Sequence, residues 1–169
     1  MVRLIAMRFL SVVSLLLAVA APAAGQARSA SPREAPAAAP ISREAFASLR
    51  WLEGRWVGSG GGYAAFYEAY AFLNDSTIEQ REHPDSTFGE PRRRATIEWR
   101  NGAVLKRTGE RVESRLVRVA GDTARFEMGA GPRGFTWYRV SADEWAAVLD
   151  GRTEPVVYRM RRFAGGRSR

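Results

Sequence analysis

Between Gly54 and Phe163 the chain is cut at short intervals by two-residue turn signals: Asn74-Asp75, Asn101-Gly102, Gly109-Glu110, Gly121-Asp122, Ala142-Asp143 and Gly151-Arg152. A two-residue connection has no room for a crossover helix, so the segments on either side must pair as antiparallel hairpins. The stretches between these turns read as strands near 54–59, 62–73, 76–84, 93–100, 103–108, 111–120, 123–129, 133–141, 144–150 and 153–163. Neighbours in sequence are then neighbours in the sheet. A meander of this size removes its exposed edges by closing on itself. The expected fold is all-β: an antiparallel up-and-down barrel of about ten strands, preceded by one short helix.

That helix is expected over Ser42–Leu52, with Ser42 as N-cap, Glu44 in the first turn, and Phe46, Leu49 and Leu52 three apart on one face. Before it, residues 1–27 carry Arg3 and Arg8, an apolar run and small closing residues, the pattern of a secretory signal peptide cleaved after Gly25 or Ala27. The apolar run is shorter than a bilayer span requires, and no cysteine follows to take a lipid anchor. Residues 28–41 are an Ala/Pro-rich leader, and residues 164–169 a polar tail. One barrel domain, 42–163, remains. It is expected to be exported, periplasmic or secreted, and it has no cysteine to staple it, so core burial must hold it together.

The chain carries a net charge of +8, two units of which leave with the signal. Its arginines are scattered along strands among acids, which argues against nucleic acid as a partner; weak contact with an anionic envelope surface is what such a charge suits. Lys106 is the only lysine.

Symmetric pairing across two-residue turns, with side chains alternating at period 2, fixes which residues share a face. Chained from Ile97 to Met128, one face collects Ile97, Trp99, Val104, Lys106, Glu113, Arg115, Val117, Val119, Ala124, Phe126 and Met128. It is mostly apolar and is expected inside, with Lys106 opposite Glu113. The same arithmetic groups Tyr138, Val140, Trp145, Ala147 and Leu149 with Val156, Tyr158, Met160 and Arg162, and leaves Trp137 outside. Arg118, Arg125, Arg159 and Arg161 fall on the outer side. For Phe66 to His83 both faces are mixed, and the choice stays open. Three charges on an apolar face imply a wet cavity, an open mouth or a closed salt-bridge network, because desolvating an ion costs several kcal/mol.

Gly54-Arg55-Trp56, after a short helix and at the start of the first strand, resembles the G-x-W signature of the calycin superfamily of lipocalins, fatty-acid-binding proteins and nitrobindin-like barrels. The string Gly54-x-Trp56-x-Gly58-x-Gly60, with Phe66, Glu68 and Phe72 after it, is similar to the opening of the nitrobindin-like members. The stretch from Trp137 to Arg161 resembles secreted bacterial lipocalin-like domains. The resemblance implies a structural lock in which Trp56 closes the barrel floor and an Arg from the last strand, here Arg162, packs across its indole. It also implies a small amphiphile held with its tail among aromatics and its head on basic and tyrosine side chains. Those roles fall to Lys106, Arg115, Tyr138 and Tyr158, with Glu113 and Trp99 on the same inward face as further candidates.

Nothing here reads as catalytic. There is no thiol, no G-x-S-x-G elbow and no phosphate loop. Haem-binding members of the family use a histidine late in the chain, whereas the only histidine is His83, read as an exposed turn residue. No cofactor and no metal site is therefore expected, the acids Glu79, Glu82 and Asp85 being read as solvated. The leading expectation is an exported, non-catalytic barrel that binds a small hydrophobic or anionic amphiphilic molecule. The alternatives are an envelope interaction module with a side-chain-filled barrel and, last, a haem-dependent enzyme.

Overall fold

The computed structural model describes residues 39–129, 133–151 and 153–164. Ser42 opens the helix as its cap, its Oγ accepting a hydrogen bond from Ala45 N at 3.1 Å. The expected helix has two parts, α1 (Arg43–Ala47) and a 3₁₀ turn (Ser48–Leu52). With three residues per turn, positions three apart eclipse one another, so Phe46, Leu49 and Leu52 form one face, and all three are fully buried. The folded region starts before Ser42. Ile41 is buried, its N–H donates to Gly102 O at 2.8 Å, and its carbonyl accepts Trp99 Nε1–H at 2.7 Å. The expected signal peptide, residues 28–38 of the leader and residues 165–169 lie outside the described residues.

Ten strands follow: β1 (Gly54–Gly60), β2 (Tyr63–Asn74), β3 (Thr77–His83), β4 (Arg93–Arg100), β5 (Ala103–Thr108), β6 (Arg111–Ala120), β7 (Thr123–Met128), β8 (Gly134–Arg139), β9 (Glu144–Leu149) and β10 (Val156–Arg162). Each pairs antiparallel with the next, and β10 returns to β1, so the sheet is a closed barrel with no free edge. The expected strand count, order and closure are what the pairing shows.

One end of the barrel is filled. Phe46, Leu49 and Leu52 join a buried cluster with Ile78, Ile97, Val104 and Ala124. Above this lies an aromatic belt in which Trp145 meets Trp56, Tyr70 and Trp137 at ring-centroid distances of 6.0, 5.9 and 5.4 Å. Trp56 is buried, donates its Nε1–H to Leu52 O at 2.7 Å, and carries the Arg162 guanidinium 4.4 Å from its ring centroid. Arg162 also donates to Glu53 O at 3.0 Å and to Ala142 O at 3.1 Å. Two glycines make this possible. Gly54 has φ +128, and a Cβ there would overlap the Arg162 guanidinium; at Gly58 it would overlap the Phe66 ring, which lies across the strand.

The chained register holds at both ends of its longest run and fails in the middle. Ile97 pairs with Lys106 and Val119 with Ala124, as expected. Between them β6 carries two irregularities, one opposite Lys106/Arg107 and one between Leu116 and Arg118. Each inserts one residue and turns the following side chains to the other face; the second restores what the first inverted. Lys106 therefore faces Ser114, not Glu113. Ser114 and Leu116 point in, and Arg115 is exposed on the outer wall.

The β8–β9 connection makes the other inversion. Arg139 pairs with Trp145 across a loop held by Val140 and Ser141 N–H donating to Glu144 O at 2.9 Å. That loop is one residue out of step with a two-residue turn, so Trp137 is buried inside and Tyr138 faces out, the reverse of the expectation. For the pair of strands left open, Phe72 meets Ile78, Tyr70 meets Gln80 and Glu68 meets Glu82, all facing inward.

His83 is buried, not an exposed turn residue. The β3–β4 loop folds back on the outer wall, where Phe88 packs against His83, Tyr67 and Phe163 at 5.1, 5.9 and 4.9 Å.

Candidate functional site

The half of the barrel away from α1 holds a cavity of about 700 Å³. Its walls divide by chemistry. One side is aromatic and thioether: Phe66, Tyr158, Phe135, Trp137, Trp145 and Met160. The rings support one another, Phe66 against Tyr158 at 5.7 Å and Phe135 against Trp137 at 5.4 Å.

The other side is charged. Arg93, at the start of β4, donates Nη1 to Glu82 Oε1 at 2.6 Å and Nη2 to Glu113 Oε1 at 2.5 Å, joining β3 to β6 across β4 and β5. Glu113 also accepts the Thr108 hydroxyl at 2.9 Å and has Lys106 Nζ 3.6 Å from its second oxygen. Burial pulls the Glu113 carboxyl upward, but the Thr108 hydroxyl, Lys106 and Arg93 outweigh it and hold it below its ordinary value of 4.5. Arg93 loses solvation, yet the two carboxylates hold its proton more tightly than usual. Arg111 stands exposed at the rim.

Glu68 differs from the other two acids. Its contact is the Tyr70 hydroxyl, which donates to Oε2 at 2.7 Å. Burial pushes the Glu68 carboxyl above 4.5, with Glu82 adding to the rise while Tyr70, Lys106 and Gln80 oppose it. Burial, and then the Glu68 charge, push the Tyr70 phenol well above 10.0.

Three lining residues carry buried polar atoms without a hydrogen-bond partner: Gln80 Oε1, Ser114 Oγ and Trp145 Nε1. An unpaired buried donor or acceptor costs about 1–3 kcal/mol. Their gathering on one cavity is a concentration of unmet hydrogen-bonding capacity, and it includes both acceptors and a donor.

Of the residues expected to bind a ligand, Lys106, Glu113 and Tyr158 line this cavity. Arg115 and Tyr138 lie outside it for the reasons of register given above. Trp99 also stands apart, at the filled end, hydrogen-bonded to Ile41 O with Arg43 4.8 Å from its ring centroid. Gly54, Trp56 and Arg162 come together where β1 meets β10.

Sequence reasoning missed Arg93, Glu82, Glu68, Gln80, Ser114 and Trp137. Ile78 held the best available signal. Pairing this isoleucine with Phe72, as the structure does beside an irregularity between Phe72 and Asn74, turns Glu68, Gln80 and Glu82 inward together.

His83 does not line the cavity, and among the described residues no group of three or more His, Asp or Glu is arranged to hold a metal ion.

Neither a protein-family model nor a curated protein matches the sequence. Among solved structures, a redesigned β barrel matches with a TM-score of 0.31 and 10% identity, over 70% of this chain and 96% of its own. Likeness at that level carries no argument, and the protein is placed as a closed ten-stranded antiparallel barrel on its own strand pairing.

Proposed function

We propose that the protein is an exported, non-catalytic carrier whose cavity holds a small, partly apolar molecule. The observation that carries this reading is the cavity itself: about 700 Å³, with Gln80, Ser114 and Trp145 presenting unpaired buried polar atoms between an aromatic and a charged wall. Ligand sites commonly occupy roughly 300–1,000 Å³, mostly apolar with a few placed polar groups. A bound molecule would place its apolar body against Phe66, Trp137 and Tyr158 and its polar head toward Lys106, Arg93 and the acids.

The calycin-like reading belongs with this proposal, supported by the stacking of Arg162 on Trp56 within a closed barrel. For an anionic amphiphile, Lys106 and Tyr158 are at hand and Arg115 and Tyr138 are not. The alternative of a side-chain-filled envelope module is disfavoured by the volume of the cavity. Of the outer arginines through which such a module would meet an anionic partner, Arg125 is paired with Asp150 and Arg159 with Glu144.

The test is titration with the neutral fluorophore N-phenyl-1-naphthylamine. Saturable binding at one site, lost in Ala147→Trp, which fills part of the cavity, is the expected result. Enhancement that does not saturate, or that survives Ala147→Trp in a folded variant, defeats the proposal.

A further inference from the structure

We infer that this cavity takes a molecule bearing a cationic amine, with the Glu68 carboxylate as its counter-ion. The inference rests on the proposed function and adds the charge and class of the ligand.

The argument starts from pairing. Within the walls stand three acids, Glu68, Glu82 and Glu113, and two bases, Arg93 and Lys106; Arg111 is at the solvent-exposed rim. Arg93 is shared by Glu82 and Glu113, Arg92 Nε lies 3.7 Å from the other oxygen of Glu82, and Lys106 lies beside Glu113. Among the described residues no Lys, Arg or His comes within 4.0 Å of Glu68, whose near contact is a neutral hydroxyl. The acid left over is therefore a particular side chain at a particular place, and Glu82 sits directly opposite it on β3. The cations near these acids pair with Glu82 and Glu113, which leaves Glu68 as the carboxyl without an ion pair, acted on by Lys106 only at longer range.

The neighbours of Glu68 favour a cation further. Phe66 and Tyr70 flank it on the same face of β2, and Tyr70 is packed edge-on by Trp137 and Trp145 at 5.9 Å each. Aromatic faces are negative, so they attract an ammonium and repel a carboxylate. Gln80, opposite Tyr70, offers its unpaired Oε1 as an acceptor for an N–H. An anionic head would have to compete with Glu113 for Lys106 or displace Glu82 or Glu113 from Arg93, with Glu68 nearby to repel it; an amine meets a carboxyl that has no ion pair, ring faces and an acceptor. Burial of the Glu68 carboxyl, which raises its proton affinity, is the expected mark of a charge that lacks its partner.

The test uses three probes with one body: 1-naphthylmethylamine, 1-naphthylmethanol and 1-naphthoate, titrated calorimetrically near neutral pH into the mature chain. The amine should bind about tenfold tighter than the alcohol, as a desolvated charge pair with ring contacts warrants, and the carboxylate more weakly than the alcohol. Glu68→Gln, which keeps shape and hydrogen bonding, should abolish the amine's advantage while the alcohol's affinity stays within about twofold. Lys106→Met should move the amine the other way, to tighter binding, because it removes a competing positive charge.

An alcohol that binds as well as the amine, a carboxylate that binds best, or a Glu68→Gln protein that keeps the preference overturns the inference and leaves the carrier reading standing. Binding of none of the three overturns both. Should Glu68→Gln fail to fold, weaker amine binding in Lys106→Met is sufficient to refute it.

Discussion

Replacing Trp56 with alanine tests the floor of the barrel. The indole is buried, touches Trp145, and hydrogen-bonds the Leu52 carbonyl that ends the 3₁₀ turn. Truncating a fully buried tryptophan costs about 3–5 kcal/mol through lost transfer energy and the space left behind. The Leu52 carbonyl loses its donor as well, a further penalty of about 1–3 kcal/mol where water does not reach it. Trp56→Phe keeps an aromatic ring in place while deleting the hydrogen bond and the rest of the indole, so its stability should fall between those of the parent and Trp56→Ala. The contact with Arg162 adds a third. The Arg162 side chain is 37% exposed, so the cation–π coupling belongs at the lower end of the range, about 0.5–1 kcal/mol. A double-mutant cycle of Trp56→Phe and Arg162→Met reads the change in that coupling. Urea unfolding of the protein, followed by tryptophan fluorescence and far-UV circular dichroism, gives the free energies wherever the two probes coincide. A loss below about 1 kcal/mol for Trp56→Ala, the size seen at exposed sites, would refute the assignment of this residue to the closed floor.

Gly58→Ala should destabilise by about 1–3 kcal/mol, the cost of overpacking, because its methyl group meets the Phe66 ring; Phe66→Ala in the same chain should recover part of that loss in urea midpoints. Glu68 binds its proton more tightly folded than unfolded, so its contribution to stability is complete below about pH 4.5 and is lost as pH rises through its raised folded value. Glu68→Gln, which does not titrate, should therefore gain stability over the parent as pH climbs from 4.5 toward neutrality, and a gap that is constant or shrinks contradicts the burial of this carboxyl. Arg115→Met should leave stability within about 0.5 kcal/mol and N-phenyl-1-naphthylamine binding unchanged; weakened binding would place Arg115 inside after all. Expression in a bacterial host with an intact secretion system should yield, by intact mass, a chain beginning after Gly25 or Ala27; an uncleaved cytoplasmic product counts against export.

The sequence by itself determined the architecture. The two-residue turns at Asn101-Gly102, Gly109-Glu110 and Gly121-Asp122, the alternating strands, Ser42 as a cap and the threefold spacing of Phe46, Leu49 and Leu52 are local signals legible where they stood, whereas the connections expected at Ala142-Asp143 and Gly151-Arg152 are longer than two residues. The contact of Trp56 with Arg162 was legible too, because the two sit on the first and last strands, which closure brings together. What only the tertiary structure decided is which side chains face the cavity. Facing depends on parity, and a single inserted residue reverses it. The two irregularities in β6 and the odd step in the β8–β9 loop exchange Arg115 for Ser114 and Tyr138 for Trp137. Nothing in Arg111–Ala120 announces an insertion, because its cost is local and its benefit is the fit of a strand into a closed ring. For the same reason the arginine that organises the charged wall was out of view. Arg93 gains its role from Glu82 and Glu113, 11 and 20 residues away along the chain, and only closure of the barrel makes them neighbours.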